Sequence, residues 1–141
     1  MDYNYGEKKI VAVVKSDLDF GIALNVIGHL AVSFGHNALG HMGHPVLTDA
    51  SGVRHLGIAK YPFIITKGKG EKIRAAIELA RVKKNIVFVD YPQQMLETGH
   101  DDELAQSLAS IDEKQLTYFG AIFYGKTEDV SAITGKFSLY K

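Results

Sequence analysis

Three charged residues stand where two apolar runs give out, and their types could do chemistry together. Lys15 and Asp17 follow the run Ile10-Val11-Ala12-Val13-Val14, and Asp90 follows Ile86-Val87-Phe88-Val89. A lysine in such a place can hold an anionic or carbonyl group while a carboxylate orients water as a general base. The same residues also have a plain structural use, in which Asp17 caps the turn and Lys15 pairs with a nearby carboxylate. Asn25 and His29 lie four residues apart, so on a helix they share a face. A histidine there can titrate near neutral pH or bind a ligand; it can equally be a partly buried side chain satisfied by backbone.

Other chemistry is excluded or poorly supported. The 141 residues contain no cysteine, which rules out disulfides, thiol nucleophiles and zinc–thiolate sites. His36, His41 and His44 crowd together, and three imidazoles can make an open metal site. Gly35, Gly40 and Gly43 loosen that segment, however, and no carboxylate lies among these residues. They read as surface histidines, and no metal is expected. Thr66-Lys67-Gly68-Lys69-Gly70-Glu71 has a superficial likeness to a phosphate loop but breaks its residue order, so no cofactor is expected either. Lys67, Lys69, Lys72, Arg74, Arg81, Lys83 and Lys84 face only Glu71 and Glu78 in their segment. They could offer phosphate contacts to RNA. Aromatics interleaved with those charges, which would stack bases, are missing, and a solvated helix face is the better reading.

The elements that must position these groups follow from periodicity. The uninterrupted apolar character of residues 10–14 fits a strand covered on both faces, and residues 86–89 read the same way, ending at Asp90. Between Gly21 and about Ala38, Ile27, Leu30, Ala31, Phe34 and Ala38 fall on one helical stripe, with Asn25, His29 and Ser33 on another. Val46–Thr48 and Val53–Leu56 flank Asp49-Ala50-Ser51-Gly52 as a small hairpin. Phe63-Ile64-Ile65 reads as a strand broken at Gly68, followed by an amphipathic helix to about Lys84. A helix runs through Leu104, Leu108 and Ile111, a long strand spans Leu116 to Tyr124, Thr127 looks like an N-cap, and Phe137–Tyr140 alternates like an edge strand. Strands alternating with helices imply an α/β sandwich with a mixed sheet. If the first strand and the one ending at Asp90 run parallel, Lys15, Asp17 and Asp90 share one edge of that sheet. They would then lie near a helix amino end, where open α/β sheets hold ligands and anions.

Length fits one domain, residues 1–141. Apolar residues at 46% against 23% charged allow a sizeable core and argue against disorder. Sixteen basic and sixteen acidic side chains cancel, which leaves only a local basic face for nucleic acid. The amino terminus lacks the apolar core of a signal peptide, and no run approaches the ~18–20 apolar residues of a membrane helix. No membrane contact and a soluble, cytoplasmic setting are expected.

Lys15-Ser16-Asp17-Leu18, Gly21-Ile22-Ala23-Leu24-Asn25 and His29-Leu30-Ala31 resemble the family of domain of unknown function 2000. Asp49-Ala50-Ser51-Gly52, Tyr61-Pro62, Met95 with Thr98, Gly120 and Thr134-Gly135-Lys136-Phe137-Ser138-Leu139 carry the resemblance across nearly the whole chain. That family is similar to the archaeal and eukaryotic type of peptidyl-tRNA hydrolase. The resemblance implies a three-layer α/β/α sandwich on a mixed, mainly four-stranded sheet. It places Asp17-Leu18 on the hydrolase's Asp-Leu pair, Lys15 on its arginine and Asp90 on its aspartate after a buried strand. Asp19-Phe20-Gly21-Ile22 replaces the hydrolase's lysine-bearing turn, Asn25 stands four residues before His29 rather than glutamine three before, and Tyr91-Pro92-Gln93-Gln94 replaces a threonine-containing stretch. The reaction therefore does not follow from the fold.

The expected site has Lys15, Asn25 and His29 binding a small molecule or a peptide segment, with Asp17 and Asp90 as the carboxylates available for catalysis. The rival is an enzyme hydrolysing the ester between peptide and tRNA, with tRNA as its partner. A third expectation, a homodimer, comes from Tyr118, Phe119, Phe123 and Tyr124 clustering on one strand.

Overall fold

The computed structural model describes residues 2–141. A five-stranded mixed sheet carries the chain, in the order β5-β6-β1-β4-β7. β1 (Lys8–Lys15) lies at its centre, parallel to β4 (Phe63–Gly68) and antiparallel to β6 (Tyr118–Lys126). β5 (Val87–Pro92) pairs antiparallel with β6, so β1, β4 and β5 all run in one direction and end at the same rim. β7 (Ser138–Leu139) adds antiparallel to the free edge of β4. The sheet thus has five strands where four are expected. The fifth is the edge strand read at Phe137–Tyr140, which joins this sheet because Thr66 and Lys67 pair with Leu139 and Ser138.

The continuous apolar run of β1 is divided by side-chain alternation. Ile10, Ala12 and Val14 pack with Ala23, Val26, Leu30 and Phe34 of α1 (Phe20–Asn37). Val11 and Val13 pack with Ile73, Ala76, Ile77 and Ala80 of α2 (Gly70–Val82), and with Val130 and Ile133 of α5 (Thr127–Thr134). Alternate residues of a strand face opposite sides of a sheet, so this one run builds both cores. α1 is seated closely on β6. A Cβ at Gly120 would come within 2.7 Å of the Val13 carbonyl oxygen and 2.9 Å of Val26 Cγ1, so only glycine fits there.

Several boundaries and roles differ from the sequence expectation. β5 reads as doubly buried but lies at the sheet edge, with Val87 40% exposed. Thr127 is the first residue of α5 rather than its cap, and its hydroxyl donates to the Gly6 carbonyl at 2.6 Å. Tyr118, Phe123 and Tyr124 are buried within the chain, and Phe119 packs against the α1 core. β6 lies between two other strands, so its aromatics are consumed by both cores and the ground for expecting a homodimer through them falls away. α3 (Gln94–Glu97) and α4 (Asp101–Ala109) complete the helices, with Asp101, Asp102 and Glu103 in the first turn of α4. Acids there complement the helix dipole. Among the described residues, no helix is long and apolar enough to cross a membrane.

Between α1 and β4 the chain makes a two-stranded ribbon. β2 (Val46–Thr48) and β3 (Arg54–Leu56) pair antiparallel around the Asp49–Gly52 turn. Asp49 Oδ1 accepts from the amides of Ser51 and Val53 at 2.9 and 3.1 Å, and Gly52 takes a φ of +87°. The ribbon continues toward the sheet through a bridge between Met42 and Ala59. Its two segments touch at Gly57, where a Cβ would sit 1.6 Å from the His44 carbonyl oxygen. Gly57→Ala must therefore part the ribbon, at about 1–3 kcal/mol as for other overpacked sites. The expected outcome is a lower urea midpoint together with faster amide exchange at Gly43, Gly57 and Lys60, which donate to Ile58, Pro45 and His41.

Candidate functional site at the strand-end rim

Lys15 and Asp90 arrive at one rim because β1 and β5 share a direction. Across β6, Val13 and Asp90 both pair with Ala121. Asp90 therefore points to the same face as Ala121 and Val13, toward α2. Lys15 has the same parity, and its Cε lies 3.2 Å from where a Cβ of Gly70 would stand. Asn25 and His29 belong to α1, on the other face, and both are exposed. The His29 ring lies 6.2 Å from that of Tyr91, which faces α1 from the same rim. The five expected residues thus share an edge of the sheet and divide between its two faces.

Lys15 and Asp17 are paired with each other. The ammonium sits 2.7 Å from Asp17 Oδ1 and 2.8 Å from Oδ2, with Asp17 70% exposed. The Lys15 hydrogen bond holds the Asp17 carboxyl below the usual aspartate range. Such a pair in solvent is weakly held, so it opens readily to a competing anion.

Asp90 belongs to a different network, which the sequence does not reveal. Tyr118 Oη donates to Glu113 Oε2 at 2.7 Å, and Arg81 Nη2 donates to Tyr118 Oη at 2.8 Å. Arg74 Nη1 donates to the same Glu113 oxygen at 2.7 Å, while its Nη2 reaches the carbonyls of Glu113 and Leu116. Arg81 Nη1 lies 3.2 Å from Glu113, and Nη2 lies 3.9 Å from Asp90 Oδ2. Arg74 and Arg81 are two helical turns apart on α2, so they share a face. That spacing is the one sequence signal for the cluster. Nothing local links α2 to Glu113, which sits in a single 3-10 turn, Glu113–Gln115.

The network pushes its two carboxyls in opposite directions. Glu113 is held down to about 2, chiefly by the Tyr118 hydroxyl; burial opposes this, and Arg81 and Arg74 add to it. Asp90 is pushed up, first by burial, with Arg81 partly offsetting this and Glu113 reinforcing it. Burial also raises Tyr118, so its phenol keeps its proton and remains a donor.

Beside this network is a polar depression of about 430 Å³, lined by Lys15, Gly70, Glu71, Arg74, Thr117 and Tyr118. It opens at the amino end of α2, where no side chain caps the helix. The first amides of a helix lack acceptors within it and favour an anion. Of the three crowded histidines, His36 and His44 are exposed, but His41 is only 4% exposed. The reading of all three as surface residues fails there, because His41 packs against Phe34 at 4.7 Å between ring centroids. Among the described residues, no three His, Asp or Glu side chains are arranged to hold a metal ion.

A five-stranded mixed sheet with helices packed on both faces and a strand-end rim defines the α/β class. Within it, residues 8–141 match the family model described as "Protein of unknown function (DUF2000)", and the chain belongs to that family. A solved protein of unknown function from Agrobacterium tumefaciens strain C58, Atu0240, superposes with a TM-score of 0.84. That match covers 96% of this chain and 98% of the other at 19% identity, a likeness of fold. No curated protein matches the sequence.

The opposed carboxyls give two pH-dependent outcomes. The folded pKa of Glu113 lies below its ordinary 4.5, so its stabilisation is present above about 4.5 and is lost as pH falls toward 2. Glu113→Gln should flatten that part of the acid limb in urea midpoints measured across pH. Asp90 has the reverse sign: its raised pKa makes the ionised form a cost of folding that is absent at low pH. Asp90→Asn is expected to raise the melting temperature at pH 7, with the gain vanishing below the ordinary aspartate value of 3.8.

Proposed function

We propose that this chain is a binding protein that takes the anionic group of a small ligand, or of a partner's segment, at the strand-end depression. The observation that carries this is the meeting of Lys15 with the uncapped amino end of α2 on one polar hollow. Lys15 turns from Asp17 to the incoming anion, and the Gly70 and Glu71 amides supply directed donors. Arg74 is already committed to Glu113 and Leu116. It walls the site by holding the loop before β6, and leaves the binding charge to Lys15.

The reading includes a three-layer sandwich of the peptidyl-tRNA-hydrolase kind, supported by the residue resemblance and by helices against both sheet faces. A second reading, hydrolysis of the peptidyl-tRNA ester, has one observation in its favour. Asp90 is a half-buried carboxyl with a raised pKa, the condition of many catalytic acids and bases. Against it, Asn25 and His29 lie on the other face, and Arg74 and Arg81 are drawn from the basic segment into the Glu113 network. We rank binding first.

Titration with inorganic phosphate, followed by amide NMR, tests the binding site. Saturable shifts at Gly70 and Glu71, weakened several-fold in Lys15→Ala, are expected; unmoved resonances at these two residues defeat the reading. Incubation with peptidyl-tRNA tests the rival, which requires turnover that Asp90→Asn abolishes.

A further inference from the structure

A second hollow lies at the other end of the sheet, where β1 and β4 begin. A cavity of about 610 Å³ opens between α1, the ribbon and the leading residues, lined by Tyr3, Phe34, His41, Lys60, Tyr61 and Phe63 among others. Its size is that of small-molecule sites, which range over ~300–1,000 Å³. None of its lining residues is acidic.

Two polar side chains in this wall lack the partners expected of them. His41 is buried, and among the described residues its Nδ1 has no hydrogen-bond partner. Buried polar atoms are paired in the great majority of cases. Lys60 has no carboxylate within ion-pair distance among the described residues. Its ammonium instead lies 5.1 Å from the Tyr3 ring centroid and 5.3 Å from that of Tyr61. The ribbon register brings these two side chains together. Met42 bridges Ala59, and the Lys60 amide donates to the His41 carbonyl at 2.8 Å. His41 and Lys60 are therefore opposite each other in an antiparallel pair, and opposite residues project to one face.

Rings share the remaining wall with aliphatic residues such as Ile10 and Ile58. Phe34 and Tyr61 are buried, and Tyr3 meets Tyr61 edge-on at 5.7 Å. Flat apolar surface of this kind favours an aromatic guest through offset or edge-on packing. We infer that this cavity binds a small aromatic carboxylate, its ring against Phe34, Tyr61 and Tyr3 and its carboxylate on the Lys60 ammonium. Lys60 then gains a counter-charge. The site is separate from the strand-end depression and does not depend on it.

The test uses the full chain and 2-naphthoate as probe, followed by calorimetry and by aromatic NMR shifts. Saturable single-site binding with Kd at or below about 1 mM is expected, with shifts at Tyr61 and His41. Lys60→Met should weaken it at least about tenfold, and uncharged 2-naphthamide should bind as weakly to the unaltered chain. Gly35 lines the cavity, and a Cβ there meets nothing within 4 Å. Gly35→Leu should therefore narrow the hollow and weaken binding while the helix melts no earlier. Lys15→Ala should leave binding unchanged. Absence of saturation, equal affinity for 2-naphthamide, indifference to Gly35→Leu, or loss in Lys15→Ala would each overturn the assignment.

Discussion

The molecule depends on burying both faces of a single strand. Residues 10–14 of β1 are at most 2% exposed, and their side chains alternate between α1 on one face and α2 with α5 on the other. Full burial of one such aliphatic side chain is worth ~1.5–3 kcal/mol, so the strand holds both helical layers to the sheet at once. A slip of one residue would exchange the two faces, and Gly120 shows how little tolerance there is. The Val13 carbonyl and two α1 side chains close over its Cα.

That constraint gives every polar residue near the sheet two coordinates. Strand direction decides which rim it reaches, and parity along the strand decides which face it points to. Lys15 and Asp90 agree in both. Asn25 and His29 agree with them in rim alone, because α1 covers the opposite face. The Glu113 cluster forms on the α2 face for the same reason: Asp90 and Tyr118 point there, and Arg74 and Arg81 meet them from the helix.

The two ends of the sheet differ in how their polar groups are answered. At the strand-end rim, guanidiniums, carboxylates and phenol answer one another in a partly exposed network. Their effect is to pin the loop before β6 beside the hollow that Lys15 and the amino end of α2 line. At the opposite end, the ribbon presents His41 and Lys60 to an aromatic cavity with no acid in its wall.

Local pattern was enough for the elements. The unbroken apolar run of β1, the three- and four-residue spacings of α1 and α2, and the Asp49–Gly52 turn are all short-range signals, and the chain folds accordingly. Alternation of strands and helices allowed β1 and β5 a common direction without fixing it, so a shared rim for Lys15, Asp17 and Asp90 was legible only as a condition. Several features were not legible because they rest on contacts between residues far apart in the chain. β7 completes the sheet on the edge of β4, Arg74 and Arg81 find Glu113 across a gap of more than thirty residues, and His41 is buried by Phe34 and Tyr124 rather than by its neighbours. Sequence by itself determined which residues repeat with strand or helix period, since that depends on backbone geometry alone. Only the tertiary structure decided which face each polar group reaches and whether it finds a partner there, since both depend on how separate elements pack.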